Sequence, residues 1–560
     1  MKKTVFINFV AGIILYVISL LTSYSCNPSI KIEVSDNLVN SPWGMNVHLG
    51  FKCTSPYIDE ICRAVKESGC NIIRVDAYWW YDNMFMEKEH CDRTMYYADK
   101  YGLDVLLVFP QLSYRTDSTF LRMYSDMFKT YCERYNGKTP ISMEGSAIVR
   151  YPKIKYIEPC NEVEYHYVRQ NLDVSQTFTL IKTASQAIKN TNPNIKIVLP
   201  GLSNQCIFLD SLLNYKDNIG NRLCNYCDIF NIHDYSWNAH DFNKAWKYWE
   251  TLYKKSGFAG KPIWMTEYGK SLWETNRQNQ ADLLIKNGLL ALSKGIDKIF
   301  YYQFHSYGGN YFTKHNQIEE YYGIIEPSIS NSFVSFMENN GKYNKAISQG
   351  DGLDRVYIKK ANKDSVSIYT INDTICKKLK KTGLAIGGNG FTLNEVSLYH
   401  KDNTKSIIWS GKIKIEGQGF TWLTLPQIKF QTISKDDKLV AYISAPADIS
   451  DKWDGMKPMP AYYSYYLLSS ILTSDCGRPV VNSYDNDLFI CSWKNYKNNK
   501  YYYAIWCEKS EKKMMRINND QRKSLMLTPP KLSKKIIENE ISVSSTPMII
   551  MNNKELTFDH

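Results

Sequence analysis

Pro262-Ile263-Trp264-Met265-Thr266-Glu267-Tyr268-Gly269 is an apolar run that ends on an acid, an aromatic residue and a glycine, and helix-spaced apolar residues from Asn279 to Ser293 follow it. A short apolar run bounded by turn residues reads as a buried strand, and the periodic stretch after it reads as the helix that carries the chain back. The same unit recurs on both sides. Upstream lie Gly44 to His48, Asn71 to Val75, Asp104 to Phe109, Ile154 to Glu158, Lys196 to Pro200 and Asp228 to His233; downstream lies Lys298 to Phe304. Tyr57 to Ser68, Asp117 to Tyr135 and Ser175 to Lys189 supply helical stretches between them. Eight such units between residues 40 and 330 predict an α/β fold, a (β/α)8 TIM barrel. A doubly wound dinucleotide-binding oxidoreductase would need a Gly-rich turn after an early strand, and the chain has none.

Beyond residue 335 the pattern changes. Val366 to Ile371 and Tyr501 to Trp506 are dense in β-branched and aromatic residues, so residues 335–560 read as additional C-terminal β-sandwich-like material. Lys457-Pro458-Met459-Pro460-Ala461-Tyr462-Tyr463 runs into a helical pattern through Leu472 that resembles a last barrel helix. On that reading residues 335–450 are an insertion, 455–472 the closing helix and 473–560 a terminal sandwich.

A chain of 560 residues that is 44% hydrophobic buries a substantial core, which excludes a disordered protein. The net charge of +12 is spread among interleaved acids, and the densest basic run, Lys377 to Lys381, is short; no nucleic-acid partner is expected. Met1-Lys2-Lys3-Thr4 and the apolar stretch Val5 to Leu21 read as an export signal over residues 1–26. Ser23-Tyr24-Ser25-Cys26 resembles a lipoprotein box, although Ser23 stands where an aliphatic residue is usual. The expectation is an exported bacterial lipoprotein of the cell envelope, in the periplasm or at the outer membrane, touching a membrane only through a lipid on Cys26, with plain secretion or an uncleaved anchor as alternatives. Cys224-Asn225-Tyr226-Cys227 lacks a second CxxC, so zinc is not expected.

Barrel active sites form at the C-terminal ends of the strands. Glu162 follows the fourth strand in Tyr156-Ile157-Glu158-Pro159-Cys160-Asn161-Glu162, and Glu267 closes the seventh. Two carboxyl groups so placed suit glycosidic cleavage, in which one protonates the leaving oxygen and the other attacks or activates water. No metal and no cofactor is required.

The Asn161-Glu162 pair after strand four, with Glu267 closing strand seven, resembles clan A glycoside hydrolases, and Trp43-Gly44-Met45-Asn46-Val47-His48 resembles the opening of family 39 and its relatives. The resemblance spans residues 40–330 and implies a retaining double displacement on an oligo- or polysaccharide, with Glu267 as nucleophile and Glu162 as acid/base. It further implies that Arg74 holds the nucleophile ionised, that Asn161 binds the sugar 2-hydroxyl, and that His233 and Tyr235 line the pocket, Tyr235 donating to the nucleophile. The match is imperfect after strand eight, where many relatives carry a Trp platform and this chain reads Tyr301-Tyr302-Gln303-Phe304-His305; Phe304 or His305 would have to serve. Each residue also has a plainer reading: Arg74 neutralising a buried acid such as Asp76, Asn161 as a turn residue, Tyr235 as packing and His233 as a core histidine. The competing function is a noncatalytic glycan-binding lipoprotein on a barrel scaffold.

Overall fold

The computed structural model describes residues 38, 40–49, 55–77, 79–80, 85–86, 88–109, 115–143, 146–165, 172–272, 274–305, 322–327, 333–338, 352–357, 365–371, 373–389, 391–415, 423–444, 456–484, 487–509, 512–518, 524–528, 533–537 and 540–559. Residues 1–26, read above as an export signal ending on Cys26, lie outside them. Among the described residues no helix is long and apolar enough to cross a membrane.

Eight parallel strands form one sheet: β1 Trp43–Asn46, β2 Ile72–Asp76, β3 Asp104–Val108, β4 Tyr156–Glu158, β5 Lys196–Ile197, β6 Phe230–Asp234, β7 Ile263–Tyr268 and β8 Lys298–Tyr301. Their order is β6-β7-β8-β1-β2-β3-β4-β5, and parallel bridges Val198–Ile229 and Leu202–Ile232 join β5 to β6 and close the barrel. Helices α1 Ser55–Glu67, α2 Lys88–Lys100, α3 Ser118–Arg134, α4 Val174–Thr191, α5 Ile207–Asn214, α6 Ala239–Lys255 and α7 Arg277–Ser293 form the return connections. Local chemistry sets several of their starts. Asp117 accepts the Phe120 amide ahead of α3, Asp173 and Gln176 form a reciprocal capping box on α4, and Asn238 and Asn276 cap α6 and α7.

Strand side chains alternate in direction, so every second residue enters the barrel. Ile72, Leu106, Val198, Ile229, Trp264 and Phe300 fill the lower interior, with Tyr156 packed against them. Gly44 belongs to this layer: a Cβ there would lie 2.5 Å from the Phe300 ring. Two residues further along each strand the interior turns polar, with Asn46, Arg74, Glu158, Asn231 and Thr266, all buried. An apolar floor thus carries a polar storey, and the strand ends open above it.

The last helix, α8 Pro460–Ile471, arrives from far along the chain. The segment Ile325–Pro327 pairs antiparallel with Met456–Pro458, so the chain leaves and re-enters at one place. Tyr465 donates to the Gly44 carbonyl at 3.0 Å, Ser469 to the Ser68 carbonyl at 2.7 Å, and Trp43 Nε1 to the Leu472 carbonyl at 2.7 Å. The Trp43 and Tyr465 rings meet edge-on at 5.5 Å. Between the two antiparallel segments, two four-stranded sheets and the helix Asp373–Thr382 enclose a core that includes Ile371, Leu379, Leu384, Leu398, Phe430 and Ile443.

Residues 475–560 fall in a separate compact unit, with a six-stranded and a three-stranded antiparallel sheet. Its core includes Leu488, Ile490, Ile505, Ile517, Ile550 and Phe558.

Because Trp43 is fully buried, Trp43→Phe leaves the Leu472 carbonyl without its donor. A loss of about 1–3 kcal/mol is expected, read as a lowered midpoint of thermal unfolding.

Candidate active site

Arg74 points up the barrel from β2 into the polar storey and uses all five of its N–H donors. Nε donates to Glu158 Oε2 at 2.8 Å and Nη2 to Glu158 Oε1 at 3.1 Å. Nη1 donates to Asn46 Oδ1 at 2.9 Å and to Glu267 Oε1 at 2.7 Å, and Nη2 also reaches Asn161 Oδ1 at 2.6 Å. Burial opposes a charge here, yet Glu158 and Glu267 together raise the guanidinium above its ordinary value. Arg74 therefore pairs with two buried acids, Glu267 and Glu158, the latter fully buried and also accepting the Gly201 amide at 2.9 Å, whereas Asp76 lies 2.7 Å from His48 Nδ1.

Glu267 sits at the end of β7 with its two oxygens held from different sides. Oε1 takes Arg74 and Oε2 takes the Tyr235 hydroxyl at 2.5 Å. Burial would raise its pKa, but His233, Arg74 and the Tyr235 hydrogen bond outweigh that cost and hold the carboxyl below the usual range. Burial would likewise lower His233, but the neighbouring Glu267 and Glu162 carboxylates raise it. His233 Nδ1 lies 3.0 Å from Glu162 Oε1 and 3.5 Å from Glu267 Oε2, while Nε2 lies 3.0 Å from Thr266 Oγ1. The ring fits because residue 201 is glycine: a Cβ there would be 2.0 Å from His233 Nε2.

Glu162 occupies a different environment. Its side chain is 22% exposed, against 8% for Glu267, so it faces the open end. Its backbone has φ +45°, in the left-handed region that non-glycine residues enter at a cost and that recurs at functional sites. Asn161, immediately before it, continues β4 through a parallel bridge to Gly201. The neighbouring Glu164 holds the loop after β5, with one oxygen accepting the Ser203 amide, the Ser203 hydroxyl and the Asn204 amide.

Glu162, His233 and Glu267 each present one ligand-type atom, all within 4.8 Å of one another, and are the group among the described residues that could hold a metal ion. Arg74 already supplies a cation to Glu267. Cys224 and Cys227 are thiols, and Lys261 donates to both of their backbone carbonyls.

The structure brings Arg74, Asn161, Glu162, His233, Tyr235 and Glu267 together. His305 is buried after β8, its ring pushed down to about 3 by that burial and by the neighbouring His48, and it meets Tyr57 edge-on at 5.8 Å. Phe304 is fully buried and offers no ring face to a ligand. Tyr302 is half-buried, with ring contacts to His48 at 5.2 Å, Tyr235 at 6.4 Å and Tyr322 at 5.2 Å. The sequence reading missed Asn46, Glu158 and the His48–Asp76 pair as parts of the site. Their signal was positional, since all lie on or just past the ends of β1, β2 and β4.

Residues 129–342 match the family model described as a glycosyl hydrolase catalytic core. Among solved structures, a family 39 glycoside hydrolase from the gut symbiont Bacteroides cellulosilyticus WH2 is 13% identical, with a TM-score of 0.52 over 93% of this chain and 82% of that one. A family 30 subfamily 8 xylanase from Clostridium acetobutylicum is 11% identical, with a TM-score of 0.44 over 94% of this chain and 98% of that one. No curated protein matches. The barrel fold is shared with the first of these structures, and the catalytic-core match covers Glu162, His233, Tyr235 and Glu267. Over residues 129–342 the chain is thus similar to a glycosyl hydrolase catalytic core, carried on a barrel of the kind that the family 39 structure has.

Tyr235→Phe removes a donor from the ionised form of Glu267. A bond to a charged group contributes about 1.5–3 kcal/mol, so the acid limb of the kcat/KM–pH profile should move upward, because the carboxylate then protonates at higher pH. An unmoved acid limb would refute Tyr235's part in holding Glu267 ionised.

Proposed function

We propose that this protein is a retaining glycoside hydrolase that cleaves O-glycosidic bonds of an oligo- or polysaccharide by double displacement. One observation carries the reading: one oxygen of each of two carboxylates from different strand ends lies within 4.8 Å of the other, one group buried and held ionised, the other facing solvent. Retaining enzymes keep their carboxyl groups about 5–5.5 Å apart, whereas inverting enzymes leave about 6.5–9.5 Å for a water.

Glu267 attacks the anomeric carbon as the bond to the leaving oxygen breaks, and Glu162 gives that oxygen its proton. Water then enters; Glu162 takes its proton, the water oxygen bonds to the anomeric carbon, and Glu267 departs as a carboxylate. Arg74 and Tyr235 favour that departing anion. Asn161, fixed through its side-chain oxygen to Arg74, keeps its amide nitrogen for the sugar 2-hydroxyl. His233 bridges the two carboxylates and is the group placed to respond when either loses its charge.

Assayed on a panel of aryl glycosides and polysaccharides, Glu267→Ala and Glu162→Ala should each lose hydrolysis by several orders of magnitude. Azide should restore Glu267→Ala, yielding a glycosyl azide of inverted configuration. Activity that survives both substitutions would remove these residues from the mechanism, and an unmutated protein that binds glycans without cleaving them would favour the scaffold reading.

We also propose export, on the charged start and apolar run before Cys26. Growth with an alkyne fatty acid should label the wild-type chain and leave Cys26→Ala unlabelled; equal labelling would overturn the lipid anchor.

A further inference from the structure

Trp237 lies two residues beyond Tyr235, in the loop between β6 and α6. It is 45% exposed, an unusual state for an indole. The loop that carries it is fastened on both sides. The Ser236 amide donates to Asp234 Oδ1 at 3.0 Å, and Asn287 of α7 donates to the Ser236 carbonyl at 2.8 Å. On the other side Asn238 caps α6, accepting the Asp241 amide at 2.8 Å.

The ring is supported from one face. Lys270, three residues beyond Glu267, places Nζ 3.9 Å from the indole centroid, well within cation–π range. Lys270 is only 4% exposed, so it lies beneath the ring, and the indole's exposed area belongs to the opposite face and the edge. Burial lowers the Lys270 ammonium to about 8, and Glu274, Asp234 and Asp241 act in the other direction. The group stays cationic at neutral pH and keeps its hold on the ring.

An indole with one covered face, a fixed backbone and an open second face is a preorganised stacking surface. Its position gives the ligand class. The loop springs from the strand end that supplies His233 and Tyr235, and the supporting lysine springs from the strand end that supplies Glu267. What reaches this surface while a glycosidic bond lies over Glu267 is a neighbouring ring of the same saccharide, whose C–H face suits an aromatic plane.

We propose that Trp237, supported by Lys270, is the platform for a sugar ring next to the one being cleaved, so that the substrate is a chain of several sugars rather than a single glycoside. This rests on the glycosidase reading and adds a length requirement to it.

The test compares β-linked gluco-, manno-, xylo- and galacto-oligosaccharides of increasing length with the matching aryl monoglycosides, for the wild type, Trp237→Ala, Trp237→Phe and Lys270→Met. The readout is the ratio of kcat/KM on the longest oligosaccharide to kcat/KM on the aryl monoglycoside. Trp237→Ala should lower that ratio about tenfold, equivalent to about 1.4 kcal/mol. Trp237→Phe should recover most of it, and Lys270→Met should fall between. A ratio unchanged in Trp237→Ala overturns the proposal. If the wild type hydrolyses nothing, the glycosidase reading fails separately, and calorimetric titration with the same oligosaccharides decides the platform. Tighter binding to the wild type than to Trp237→Ala supports it; equal binding, or none to either, overturns it.

Discussion

The five-donor engagement of Arg74 is the constraint around which the catalytic end of the barrel is arranged. A buried guanidinium is tolerable only if it is paired and every N–H is satisfied, because an uncompensated charge in a low-dielectric interior costs several kcal/mol. Glu158 answers two of its donors, and Asn46, Asn161 and Glu267 answer the others. These partners come from β1, from β4 and the residues after it, and from β7, so one side chain fixes three other strand ends relative to β2.

Electrostatic balance follows from the same arrangement. Burial and the Arg74 charge both oppose a proton on His233, and the Glu267 and Glu162 carboxylates on either side of it outweigh them. The histidine in turn contacts Glu162 as well as Glu267, so the two acids are coupled through a group that responds to both. Their environments differ in exposure. Glu267 is held below the usual carboxylate range by His233, Arg74 and Tyr235, whereas Glu162 faces solvent.

Much of this was legible in the chain. The eight strands fall within a few residues of their sequence positions because each pairs a β-rich apolar run with a glycine, proline or polar break, and four of the crossover helices follow their 3.6-residue periodicity. Helices α2, α5 and α6 were not read. In α2 the apolar stripe is diluted by Lys88, Glu89, Asp92, Arg93, Asp99 and Lys100, and in α6 by four lysines; α5 is too short for a clear period. The acids at strand ends four and seven were legible for a reason of geometry: the fold aims strand ends at one place, so spacing along the chain stands in for proximity.

The sequence by itself determined the barrel and put two glutamates at strand ends, since alternation along a strand and position at its end are local properties; the arginine beside them was implied only by the resemblance to clan A. Only the tertiary structure decided that Arg74 pairs with Glu158 as well as Glu267, that His233 touches both carboxylates, that the Tyr302 ring packs beside His48 and Tyr235, and that Lys270 lies under Trp237. Those are relations between strands remote in the chain, fixed by the closure of the sheet and by the requirement that each buried charge find its partners within a few ångströms.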